Sequence, residues 1–193
     1  MHFPTELPVI VTPRLHLRPF TATDAVDVQR LAGERSVAET TANIPHPYPD
    51  GAAEMWIASH PEKWAARQEL VLAITGREDG RLMGAIGLIF QGTHESAELG
   101  YWIGLPFWGK GFATEAARAV VDYTFAALRF NRVQAHHMAR NPASGRVLLK
   151  AGLRPEGASP QALKKNGCFE DVALYGVLLR DWPGADTPAI PPA

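Results

Sequence analysis

The sequence predicts a single α/β or α+β domain. It is expected to be built on a mixed, mostly antiparallel twisted sheet of about seven strands, flanked by about four helices. Strand and helix patterns succeed one another along the chain, its 193 residues suffice for one well-formed core, and no linker divides it. We expect the domain to span residues 1–182 and the Pro- and Ala-rich tail over 183–193 to be disordered.

The first half of the chain alternates between strand and helix signals. It predicts, in order, a strand over 14–20, a helix from a Thr23-Asp24 cap to about Ala32, a proline-rich loop over 44–51 and a helix over about 52–66. Two strands follow over 70–75 and 82–90, joined by a glycine-bounded turn over 76–80. These elements form the helical pair and the antiparallel part of the predicted domain.

The second half predicts a strand–helix–strand–helix–strand unit. Its elements are a strand over 97–103, a helix over about 114–128, a strand over 132–139, a helix over about 142–150 and a closing strand over 172–179. Asn141 and Pro142 are typical of a helix start, Gly152 is suited to a left-handed cap, and Asn166-Gly167 indicates a hairpin turn.

The composition excludes several classes of protein. A net charge of −1 gives no overall attraction to nucleic acid or to an anionic membrane, and no apolar run reaches transmembrane length. Cys168 is the one cysteine, which rules out an internal disulfide framework and a cysteine-rich zinc site. His136 and His137 are adjacent on a predicted strand and so point to opposite faces. We therefore expect a cytoplasmic protein without a bound metal.

The stretch over 104–116 is the most informative part of the sequence, because it joins a strand to a helix through Gly109 and Gly111. Glycines let the main chain turn tightly and approach a ligand. The helix that begins near Ala113 and Thr114 offers free N–H groups and the positive end of a dipole, which together suit a phosphate. Lys110 can add a positive charge to this loop.

Three phosphate-binding motifs compete for this stretch. It matches a Walker A loop up to Lys110, but Gly111 replaces the Ser or Thr that would hold magnesium. It offers the first two glycines of a dinucleotide fingerprint, but Thr114 stands in place of the third and no opening βαβ unit precedes it. The third motif is a loop that holds the pyrophosphate of an acyl-CoA.

The third motif is supported by a resemblance. Residues 98–104 followed by 107–116 look like the acetyl-CoA motif of the GNAT N-acetyltransferase superfamily, and most like its RimJ/RimL branch. Gly111 and Ala113 match the family pattern Arg/Gln-x-x-Gly-x-Gly/Ala, with Trp108 in the first position. The resemblance extends from Arg14 to Trp182, and its further pieces fall in the expected order: Pro47-Tyr48, Asn141 with Ser144, Lys150 with Gly152, and Asn166-Gly167 with Asp171 and Tyr175.

The resemblance implies an enzyme that moves an acetyl group from acetyl-CoA, its co-substrate, to a primary amine by direct attack on the thioester. The implied acceptor is a protein N-terminus or a small amine. The pantetheine arm would lie between the strand ending at Ile103 and the strand over 132–139, and the main chain near 102–104 would supply a donor to the oxyanion. The implied cofactor-binding residues are Trp102, Ile103, Gly104, Trp108, Gly109, Lys110, Gly111, Phe112, Ala113, Thr114, Asn141 and Ser144.

Two residues are candidates for the chemistry. Many family members protonate the leaving thiolate with a tyrosine four residues after the position of Ser144, but Leu148 stands there in this chain. In the RimL-like branch that this chain resembles, the serine at this place is a candidate to bind or protonate the sulfur, so the resemblance implies that role for Ser144. The alternative is that Ser144 satisfies a main-chain group in the first helical turn. Glu98 is the candidate base or amine contact, and a solvated strand glutamate is the alternative. Asn141 could cap its helix, bind the pantetheine arm, or do both.

Three other functions stay open at this point. The same fold could use another acyl-CoA such as succinyl-CoA, or the chain could be a CoA-binding regulatory module without catalysis. A nucleotide hydrolase would follow from the near-Walker loop. The sequence does not identify the acceptor amine, and both a monomer and a homodimer are compatible with it.

Overall fold

A computed structural model describes residues 3–183 and contains eight strands and six helices within that range. The predicted tail over 183–193 lies outside the described residues, apart from Pro183. The elements are β1 (Ile10–Val11), β2 (Leu15–Arg18), α1 (Ala25–Ala32), α2 (Arg35–Glu39), α3 (Ala52–Ala58), α4 (His60–Ala65), β3 (Glu69–Gly76), β4 (Leu82–Gln91), β5 (Ser96–Ile103), α5 (Phe112–Ala126), β6 (Arg132–Met138), α6 (Pro142–Ala151), β7 (Arg154–Lys165) and β8 (Cys168–Leu178).

All eight strands belong to one sheet, in the order β1-β2-β3-β4-β5-β6-β8-β7. Every neighbouring pair is antiparallel except β5 and β6, which run parallel. The prediction of a mixed, mostly antiparallel sheet in a single α/β domain is confirmed. The parallel pair is joined through α5, as a parallel crossover requires.

Helices cover both faces of the sheet and create two cores. On the first face α5 buries the stripe predicted from the sequence: Ala117, Val121, Phe125 and the following Leu128 are all at most 1% exposed. On the second face α1 and α3 pack over Ala73, Ala85 and Trp102. Successive residues of β5 contribute to opposite cores, as the predicted alternation of this strand requires.

The predicted helix over 52–66 is divided in two. The structure ends α3 at Ala58 and begins α4 at His60, with Ser59 between them. Pro61 explains the break, because it lies in the first turn of α4, where its missing N–H is tolerated, whereas it would interrupt a continuous helix. Two short elements, β1 and α2, are absent from the sequence prediction because two and five residues carry too little periodicity to recognise.

An imidazole without hydrogen bonds lies at the junction of α3 and α4. His60 is 4% exposed, and neither of its ring nitrogens has a partner among the described residues. The Trp56 and Phe20 rings contact it edge-on, with centroids 4.5 and 5.5 Å away. Burial lowers the pKa of His60 to about 4, and the nearby charge of Lys63 acts in the same direction. The helical layer on this face therefore contains a neutral histidine.

Candidate active site

The sheet opens between its two parallel strands. β5 and β6 pair only from Ser96 to Glu98 on one strand and from Arg132 to Gln134 on the other. Beyond this point β5 continues to Ile103 and β6 to Met138 without further pairing. The two strands therefore diverge and leave main-chain edges that face one another across a gap, as the resemblance implied.

The main chain of β5 offers donors to this opening. The Gly104 N–H donates to the Met83 carbonyl on β4 at 2.8 Å. Because main-chain polar groups alternate along a strand, those of Ile103 and Tyr101 point away from β4 and towards β6. The Ile103 carbonyl accepts a bond of 2.6 Å from the Trp108 indole N–H, and the Ile103 N–H faces the opening. Of the expected segment 102–104, Ile103 is thus the residue whose amide is directed at the gap.

The predicted phosphate loop lies at the end of β5 and leads into α5. Gly109 and Gly111 have φ values of 73° and 82°, in the left-handed region that favours glycine. Gly111 is the N-cap, so the helix begins at Phe112, two residues before the predicted start. The first-turn amides of Phe112, Ala113 and Thr114 have no acceptor within the helix. The loop is therefore built to hold an anion at the end of the opening.

An arginine near the N-terminus of the chain holds this loop in place. Arg14 donates to the Lys110 carbonyl at 3.0 Å, forms an ion pair of 2.7 Å with Glu115, and lies 4.7 Å over the Phe112 ring. Thr12 adds a 2.7 Å bond to the same carboxylate. Burial alone would raise the pKa of Glu115, but these hydrogen bonds and the Arg14 charge lower it. Sequence reasoning missed Arg14 because it lies 101 positions from Glu115.

A cavity of about 400 Å³ connects the loop to the opening. Most of the predicted cofactor residues line it: Trp102, Ile103, Trp108, Gly109, Gly111, Phe112, Ala113, Thr114, Asn141 and Ser144. Gly104, Lys110 and Glu98 are outside the lining. Arg146 and Lys150 of α6 contribute two positive charges to the wall, and Thr40 and Thr41 close the side next to α2.

Ser144 lies in the first turn of α6 and is joined to a tyrosine of β5. The Tyr101 hydroxyl is 2.8 Å from the Ser144 hydroxyl and 3.1 Å from the Ser144 carbonyl, to which it can donate. Burial raises the pKa of Tyr101 to about 12, so this hydroxyl keeps its proton at neutral pH. Leu148, at the place where many relatives carry a tyrosine, is 1% exposed and belongs to the core.

Asn141 is confirmed as the N-cap of α6. Its side-chain oxygen accepts from the Ser144 N–H at 3.3 Å, and its side-chain nitrogen donates to the Thr40 carbonyl at 3.3 Å. One amide thus holds α6 and the segment after α2 together. That segment is also held by Lys165, whose ammonium donates to the Ile44 carbonyl at 2.5 Å. A pantetheine contact by Asn141 stays a prediction.

Glu98 lies on the face of the sheet opposite Ser144 and forms a pair with a histidine. Its carboxylate is 3.2 Å from Nδ1 of His136 on β6. The hydrogen bond with His136 is the largest cause that lowers the pKa of Glu98, and the same bond raises the pKa of His136. His137 is turned to the other face, where it is buried and lies against Gly145, as predicted from the strand alternation.

The described residues contain neither a metal-ligand cluster nor a membrane-spanning helix. No cluster of three or more His, Cys, Asp or Glu side chains in the range 3–183 could hold a metal ion. Within the same range no helix has the length and apolarity needed to cross a membrane. The site thus consists of an anion-binding loop, a gap between two strands, a hydroxyl pair on one face of the sheet and a carboxylate–imidazole pair on the other.

The fold and the site together define a class of acyl-CoA-dependent transferase. Residues 14–154 match the family model described as "Acetyltransferase (GNAT) domain". The "Probable N-acetyltransferase YjcK" of Bacillus subtilis is 34% identical over 172 residues, which cover 86% of this chain and 95% of that protein. The chain belongs to the GNAT acetyltransferase family, and its co-substrate is acetyl-CoA.

Proteins of the RimJ/RimL branch are similar to this chain in part of its sequence and in its fold. The ribosomal protein uS5-alanine N-acetyltransferase of Escherichia coli is 32% identical over 94 residues, which cover 49% of this chain and 48% of that protein. The structure of Mycobacterium smegmatis RimJ in complex with a CoA-disulfide shares the fold, with a TM-score of 0.81 and 24% identity over 96% of this chain and 94% of that one.

Proposed function

We propose that this protein transfers the acetyl group of acetyl-CoA to the primary amine of a protein N-terminus or of a small molecule, by direct attack of the amine on the thioester. One observation carries the proposal. The gap between β5 and β6 extends from Glu98 to the phosphate loop, with a hydroxyl pair on one face of the sheet and a carboxylate–imidazole pair on the other. Such a gap lets a thiol leave towards one face while an amine arrives from the other.

In the proposed complex the free amides of Phe112, Ala113 and Thr114 bind the pyrophosphate, and the extended pantetheine arm enters between the strands. The thioester carbonyl then lies against β5, where the Ile103 N–H faces the gap. This amide can donate to the oxyanion that forms as the carbonyl is attacked, which stabilises the transition state more than the substrate.

The reaction requires the amine to lose two protons and the departing sulfur to gain one, and side chains on both faces of the sheet lie near these steps. The ammonium form of the acceptor loses one proton, and its nitrogen lone pair attacks the thioester carbon. The carbon–sulfur bond then breaks and CoA leaves as a thiolate, which takes the second proton lost by the nitrogen as the amide forms. We assign Ser144, with Tyr101 bonded to it, to the sulfur side of the gap. We assign Glu98 to the amine side, where its negative charge favours a cationic acceptor.

The relatives support the class of acceptor. The E. coli relative is named for the alanine of a ribosomal protein, which is consistent with an α-amine at a protein N-terminus. An α-amine titrates near 7.7–8.0 and a lysine amine near 10.4, so an N-terminal acceptor is far more often neutral at physiological pH. This difference favours the N-terminal acceptor over lysine for a site whose bases are a carboxylate and an imidazole.

The test is CoA thiol release, measured with acetyl-CoA against a panel of N-terminal peptides, lysine peptides and small amines. Succinyl-CoA is run beside acetyl-CoA as an alternative donor. Release that requires both acetyl-CoA and one class of amine is the expected result. If acetyl-CoA binds in calorimetry but no amine on the panel increases thiol release, the proposal of amine acetylation is overturned.

A further inference from the structure

We propose that His136 is the group that takes the proton from the acceptor amine. In this proposal Glu98 positions the imidazole and stabilises its protonated form. This inference rests on the proposed function and deepens it, because it reassigns the role of base from the carboxylate to the histidine. It follows from where the two side chains lie relative to the gap and from which atoms they leave free.

His136 lies at the edge of the gap. The last paired residues of the parallel strands are Glu98 on β5 and Gln134 on β6. Two residues beyond this last pair are His136 on β6 and Gly100 on β5, which strand alternation places on the same face of the sheet as Glu98. Gly100 is exposed, and a Cβ added there would meet no atom within 4 Å. There is therefore open space over Gly100 on this face, one residue before Tyr101, whose main chain faces the gap.

The pair leaves one proton-accepting atom free. Oε1 of Glu98 is 3.2 Å from Nδ1 of His136, and this charge stabilises a proton on Nδ1. In the neutral ring the lone pair is then on Nε2. The side chain of His136 is 34% exposed, so part of the ring can be reached by an amine. The arrangement is similar to the carboxylate–histidine pair of a catalytic triad, in which the carboxylate orients the imidazole and stabilises its protonated form.

The charges around His136 favour this role. Glu98 is the charged side chain that faces it from β5. Arg132 lies two residues away on the same strand but is paired with Glu156 of β7, and the neighbour across β8 is the apolar Leu174. The carboxylate raises the pKa of His136 above its ordinary 6.5 and the imidazole lowers the pKa of Glu98 below 4.5. A base is most effective when its pKa is near the working pH, which favours the imidazole over the carboxylate.

The proton balance is complete with these groups. The acceptor ammonium gives one proton to Nε2 of His136, and the pair becomes imidazolium and carboxylate. The neutral amine attacks the thioester, and the second proton lost by the nitrogen goes to the departing thiolate. His136 then returns its proton to water through its exposed edge.

The experiment compares pH profiles of kcat/KM for the wild-type protein, His136→Gln and Glu98→Gln, with acetyl-CoA and an alanine-initiated peptide. We expect His136→Gln to lose about 100-fold in kcat/KM. We expect Glu98→Gln to remain active at alkaline pH, with its acidic limb moved to lower pH, because removing the carboxylate lowers the pKa of the imidazole. The titration of the acceptor amine is common to all three proteins and cancels in their ratios.

A second measurement does not depend on turnover. The imidazole C–H resonance of His136, followed by NMR, should titrate above pH 6.5 in the wild type and at lower pH in Glu98→Gln. His94→Gln, an exposed histidine in the turn before β5, is the matched control and should keep wild-type kinetics.

The outcomes separate the two proposals. A wild-type protein that acetylates no amine refutes the proposed function and this inference with it. An active wild type in which His136→Gln keeps its rate while Glu98→Gln is inactive at all pH values overturns the inference alone, because the carboxylate would then be the base.

Discussion

The neutral histidine between α3 and α4 makes the stability of the domain depend on pH in a way that can be calculated. The pKa of His60 is lowered from 6.5 to about 4 in the folded protein. Between these two values the unfolded chain binds a proton that the folded chain does not bind, so the free energy of unfolding rises with pH. The contribution is complete above about pH 6.5 and is lost as the pH falls towards about 4.

The magnitude follows from the same two values. Each pKa unit corresponds to about 1.36 kcal/mol, so between the two pKa values of His60 the free energy of unfolding changes by about 3 kcal/mol. About 2 kcal/mol of this stability is lost when the pH has fallen to about 5. His136 acts in the opposite direction, because its raised pKa adds stability at low pH that is lost as the pH rises. A direct comparison of variants at His60 removes the His136 contribution.

The assay is chemical denaturation at about pH 5 and about pH 7.5 for the wild type and His60→Phe. Phenylalanine keeps an aromatic ring between Trp56 and Phe20 and has no proton to bind, so the variant should lose about 2 kcal/mol less than the wild type between these pH values. His94→Gln serves as the control at an exposed histidine and should follow the wild type. Equal losses in the wild type and His60→Phe would refute the reasoning.

Substitutions at three positions test the site. Ser144→Ala should lower kcat about tenfold and leave the Kd for acetyl-CoA unchanged, and an unchanged rate at saturating acetyl-CoA and amine would remove the proposed acid role. Gly111→Ala forces a side chain into a φ of 82°, which costs about 1 kcal/mol of stability and weakens acetyl-CoA binding in calorimetry. Gly51→Ala, at the N-cap of α3 with a φ of 76°, is the matched control and should cost stability without affecting binding. Asn141→Ala should lower thermal stability by about 1 kcal/mol, whereas Asn141→Asp should keep the cap and lose only the bond to Thr40, so equal losses would contradict the double role.

The parts of the structure that the sequence predicted are those set by local signals. The N-cap at Asn141, the turn at Gly109 and Gly111 and the stripe of α5 each depend on residues within a few positions of one another. Pro61 is also a local signal for a helix start, and the prediction of one continuous helix over 52–66 is wrong because proline interrupts the interior of a helix.

The parts that were missed depend on contacts between distant segments. Arg14 reaches Glu115 across 101 positions, and Tyr101 reaches Ser144 across 43. The partner of Glu98 was also hidden, because His136 comes near it only through the parallel pairing of β5 with β6. A single sequence contains no signal that specifies such pairs before the register of the strands is known.

The gap between β5 and β6 has a consequence for how the protein avoids unwanted association. An unpaired strand edge at the border of a sheet is a template that other chains can join. Here two such edges lie inside the sheet, flanked by β4 and β8, and not at its border. Only a thin, extended molecule that carries its own amide groups can complete the interrupted ladder. The protein thus keeps unpaired main-chain groups available to a small ligand without exposing them at the border of the sheet, where they would favour aggregation.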